Sequence, residues 1–170
     1  MIIQNDPPLE HGAWPSDWTD EPKSWTLYAI TADRLNRGAS AAILKGWQYA
    51  RVESDGCIFV TRYLRAGTSL EVAQSSVTKR AQSAYKQIVT LAAPLPGEST
   101  PERAYEVRVL VIHELYLEVM WLHSLSGGQD VVIPYLSYLP ELAEGGVYPF
   151  SKFLQVARRE AAKLTLAPAV

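Results

Sequence analysis

The densest run of chemically capable side chains is His113-Glu114-Leu115-Tyr116-Leu117-Glu118-Val119-Met120-Trp121-Leu122-His123. Glu114, Glu118 and His123 are the candidate catalytic residues of the chain. Carboxylates and an imidazole are the parts from which general acid–base catalysis is assembled, provided that a cleft gathers them. The His-Glu opening is half of the helical zinc-protease pattern, which needs a second His four residues after the first. Leu117 occupies that position, so the pattern fails. Read as a strand, the segment separates His113 from His123 by about 33 Å at ~3.3 Å per residue. Read as a helix, it leaves them about 15 Å apart along the axis and about 80° apart around it. Neither geometry gives these two imidazoles a common metal, and no metal or cofactor is implied.

Other reactive types are sparse. Cys57 is the single cysteine, which excludes an intrachain disulfide and a multi-thiolate zinc site. It follows a Gly at the start of a strand-like run, where a small buried hydrophobe is the ordinary role of a free thiol. Ser126-Gly127-Gly128 and Glu144-Gly145-Gly146 lack the Lys-terminated phosphate cradle, and no Gly-x-Ser-x-Gly elbow occurs. Both read as turns. The aromatics Tyr28, Trp47, Tyr49, Phe59, Tyr63, Tyr105, Tyr116 and Trp121 fall almost wholly on strand-like runs. Gathered on a covered sheet face they are core; on an open concave face they would line a small-molecule pocket.

Residues 1–24 differ from the remainder. They hold four of the eleven prolines and five acids against Lys23 alone, a net charge of −4 within a chain total of −2. No hydrophobic period runs through them, so self-ordering is not expected. Trp14 and Trp18 are the exceptions. Such rings either anchor the segment on its own domain or serve as a short motif for a protein partner, and they are the candidate binding residues.

The sixteen basic residues are scattered, with adjacent pairs only at Lys79-Arg80 and Arg158-Arg159, which argues against nucleic acid. No apolar run approaches the ~20 residues that span a bilayer, and the N-terminus does not read as a signal peptide. A cytoplasmic location is the expectation.

The elements that must position these groups follow from pattern. Trp25 to Ile30 reads as a strand, and Thr31 as the cap of a short helix from Ala32 to about Asn36, ended near Gly38. Ala41 to Leu44 is read as continuing helically until Gly46. Trp47–Val52 and Cys57–Leu64 flank Asp55-Gly56 and form a hairpin. Leu70, Ala73, Val77, Ala81, Ala84, Ile88 and Leu91 recur at three- and four-residue steps, predicting a long helix over 69–92 with Ser69 as its cap. Tyr105–Ile112, Leu115–His123 and Asp130–Tyr135 read as strands, with Arg108 and Glu118 as a cross-strand pair. A last amphipathic helix over 149–164 presents Phe150, Phe153, Leu154, Ala157, Ala161 and Leu164 on one face.

The expected architecture is therefore α+β: an antiparallel sheet of about five or six strands with two main helices, about 69–92 and 149–164, on one face. Residues 1–24 form the tail and 25–166 a single domain. The functional expectation is a non-catalytic protein-binding or adaptor module. The alternatives are a small-ligand binder using an aromatic-lined sheet face, and an enzyme with its site near Glu114, Glu118 and His123.

Overall fold

The structure is a computed structural model and describes residues 23–52, 58–78 and 105–166. Its frame is one eight-stranded sheet comprising β1 (Lys23–Ala29), β2 (Ile43–Val52), β3 (Ile58–Ala66), β4 (Ser69–Thr78), β5 (Tyr105–Ile112), β6 (Leu117–Ser124), β7 (Val131–Leu136) and β8 (Tyr148–Pro149). The spatial order is β4-β3-β2-β1-β5-β6-β7-β8. The chain thus lays down two antiparallel meanders, each running outward from the centre of the sheet. They join where β1 and β5 pair in parallel, with Leu27 beside Val109.

One α-helix, α1 (Phe150–Leu166), and the 3-10 helix Ala32–Ala41 cover one face of this sheet. Phe150, Phe153, Leu154, Val156, Ala157 and Ala161 pack there with Leu110, Ile112, Val119, Trp121 and Val132. Arg158 fastens the two helices, its Nε donating to the Leu35 carbonyl at 3.0 Å. The amphipathic face expected for α1 is the one that is buried, except that Leu164 near its end is exposed.

The opposite, inner face carries a second apolar cluster of Trp25, Leu27, Ala50, Val60, Val107, Val109, Val111, Met120, Leu122, Ile133 and Tyr135. Strands buried on both faces read as continuous apolar runs rather than alternating ones, which is what β5 and β6 show. Arg62 on β3 meets Glu118 on β6 across this face. Four strand spacings separate them in the sheet, about 19 Å if the sheet were flat. Direct contact therefore requires a strongly curled sheet with this face concave. Bulges supply curvature, and register shifts occur at Leu27/Tyr28, Arg62/Tyr63 and Glu118/Val119. Gly46 lies at the first of these shifts, and a Cβ there would stand 1.9 Å from the Tyr63 carbonyl oxygen. Only glycine lets β2 and β3 approach so closely.

The α+β class stands, while several finer expectations are corrected. Among the described residues the sheet has eight strands and is mixed, not about five or six and antiparallel. Residues 69–78 of the expected 69–92 helix are strand β4, and residues 79–92 lie outside those described. The reason is the turn before it: Gly67, with φ +63°, and Thr68 form a two-residue hairpin connection between Ala66 and Ser69. The Leu70–Ala73–Val77 stripe mimics a helical period, but Val72, Val77 and Thr78 are β-branched and suit a pleated strand. Helix did not continue through Ala41 to Gly46 either, because β2 begins at Ile43. Thr31 precedes the 3-10 helix but makes no side-chain cap bond, and that helix runs on past a kink at Gly38 to Ala41. The Asp55-Gly56 turn, Cys57, and Trp14 and Trp18 lie outside the described residues.

Candidate functional site

The structure separates the three candidate catalytic residues. Glu114 sits in the 3-10 turn His113–Leu115 that links β5 to β6, a turn closed by Tyr116 in the left-handed region with φ +48°. Its carboxylate is exposed and accepts the Ala32 backbone N–H at 3.2 Å, tying this turn to the start of the 3-10 helix. Glu118 and His123 are five residues apart on β6, so strand alternation sends them to opposite faces. Arg108 and Glu118 are likewise on opposite faces, since Arg108 stands opposite Trp121 and Glu118 opposite Val111. The expected Arg108–Glu118 pair does not form.

Each glutamate and arginine has a different partner. On the inner face Arg62 donates from Nη1 and Nη2 to the two Glu118 oxygens, from Nε to Gln48 Oε1 at 2.8 Å, and from Nη2 to the Tyr135 hydroxyl at 2.9 Å. The side chains of Arg62 and Glu118 are 9% and 16% exposed. Burial alone would raise the Glu118 pKa, but hydrogen bonding and the charge of Arg62 more than offset it and hold the carboxyl below its usual range. A planar fork filled by a carboxylate, an amide and a phenol is a closed structural bracket. It pins β3 to β6 and β7, and so fixes the curl of the sheet.

On the other face a different constellation forms at the β6–β7 connection. Asp130 Oδ2 accepts from Trp121 Nε1 at 2.7 Å and from His123 Nδ1 at 2.9 Å, while Oδ1 accepts the Ser124 backbone N–H at 2.9 Å. Burial alone would raise the Asp130 pKa, but the bonds from His123, Ser124 and Trp121 outweigh it and keep the carboxyl below its usual range. An ionised carboxylate only accepts, so His123 Nδ1 is the donor in this bond. The imidazole is 36% exposed. Beside it on the same face, Arg108 lies over the Tyr28 and Trp121 rings, at 5.2 and 4.8 Å, and donates from Nε to Glu106 at 3.0 Å. Asp130 and Arg62 were not singled out by sequence reasoning. Their signal is a charged residue on or abutting an apolar strand, where a partner from elsewhere in the chain is required.

The aromatic set is not gathered on one face. Tyr28 and Trp121 meet edge to face beneath the α1 layer, and Tyr105 packs against the inner cluster. Trp47, Tyr49 and Tyr63 are partly buried on the outer side of β2 and β3, where the Tyr49 and Tyr63 rings meet edge to face at 5.3 Å. Tyr116 projects into solvent.

Among the described residues, no group of three or more His, Cys, Asp or Glu side chains is close enough to hold a metal ion. Among them, too, no helix is long and apolar enough to cross a membrane. In comparisons with known proteins, no family model, curated protein or solved structure matches this chain.

Proposed function

We propose that this chain is a non-catalytic protein-binding module that takes its partner along the β4 margin of the sheet. The observation that carries the reading is the asymmetry of the two margins. One ends in β8, only two residues long and followed directly by α1. The other ends in the ten-residue β4, hydrogen-bonded to a described strand on one side only, with Val72 49% exposed. Long edge strands offer a row of backbone donors and acceptors to an incoming strand, and sheets normally blunt them. In this reading Trp14 and Trp18 of the acidic N-terminal segment are a second set of anchors for the same partner.

Affinity capture from the native host tests it. The wild-type chain, V72K, a chain lacking residues 1–22, and K152E on α1 are compared as baits. The proposal expects V72K to lose the captured partner at least tenfold and K152E to keep it. Equal recovery by V72K and wild type would overturn the β4 assignment, and unchanged recovery by the truncated chain would remove the tail from it.

A second reading has one specific observation in its favour. Asp130 accepts from Nδ1 of the partly exposed His123 imidazole, the kind of contact by which a carboxylate orients a general base. That enzyme would use His123 with Asp130, not with Glu114 and Glu118. Activity-based profiling with acyl and phosphoryl ester substrates distinguishes it. Turnover abolished by H123Q and reduced by D130N would favour the enzyme, and turnover indifferent to H123Q would exclude it.

A further inference from the structure

We draw no further inference here: the strongest candidate, the stretch of the inner sheet face where Ile43 and Leu64 stand exposed on the same face as the Arg62–Glu118 pair, carries nothing, because the guanidinium is already held by Gln48, Glu118 and Tyr135 and nothing in the structure shows what covers the two apolar side chains.

Discussion

Replacing Glu118 by Ala tests the bracket that curls the sheet. The substitution removes the partner of two Arg62 nitrogens and leaves the guanidinium on the inner face without its carboxylate. Breaking a buried pair from one side typically costs 3–5 kcal/mol, because a buried charge is stranded. The 16% residual exposure of Glu118 lets some water reach the vacated site, so about 3 kcal/mol is expected. With a urea m-value of about 2 kcal/mol/M, that is a fall of about 1.5 M in the unfolding midpoint. R62M should cost a similar amount, stranding Glu118 instead. The double variant R62M/E118A strands neither charge and should cost less than the sum of the two single variants. Equilibrium urea denaturation of the four chains, followed by tryptophan fluorescence, gives the complete cycle. Single costs below about 1 kcal/mol, or a double variant whose cost is the sum of the singles, would refute the bracket.

Three further outcomes are expected. G46A places a methyl group 1.9 Å from the Tyr63 carbonyl oxygen, which is backbone and cannot swing away, so a loss of about 3 kcal/mol in chemical denaturation is expected. F153A empties the fully buried centre of the α1 layer and should cost about 3–5 kcal/mol by the same assay, against less than 1 kcal/mol for the exposed L164A. The Asp130 carboxyl is held below its usual range in the folded chain, so its stabilisation is complete above the unfolded pKa of about 3.9 and is lost as pH falls through the lower folded value. D130N should therefore cost about 1–2 kcal/mol at neutral pH and flatten the loss of stability below about pH 4, as read from denaturation midpoints across pH.

Local chemistry made much of the fold legible. Gly and β-branched runs marked β1, the β2–β3 hairpin and β5 to β7, and a clean apolar stripe marked α1. The parallel pairing of β1 with β5 was not legible, because no local pattern encodes contact between strands some eighty residues apart. The error at β4 was one of period. Leu70, Ala73 and Val77 fit a helix as well as a strand, and the Gly67-Thr68 turn that decides between them is short and unremarkable in composition. For the candidate site, residue types drew attention to Glu118 and His123, but the arrangement that holds them has no local signal. Glu118 and His123 do both have hydrogen-bonding partners, but strand alternation divides them between faces, and those partners, Arg62 and Asp130, lie 56 and 7 residues away. The first of these pairings exists only because the sheet curls, a property of the whole fold that no segment displays.

The most direct test of the proposed function is site-specific photo-crosslinking in the native host, with the photoreactive residue at position 72 on β4 or at position 152 on α1. Both positions are exposed, so both report on what approaches the surface. The account predicts a discrete crosslinked protein from position 72 that is absent from position 152. The same products from both positions, or none from position 72, would contradict it.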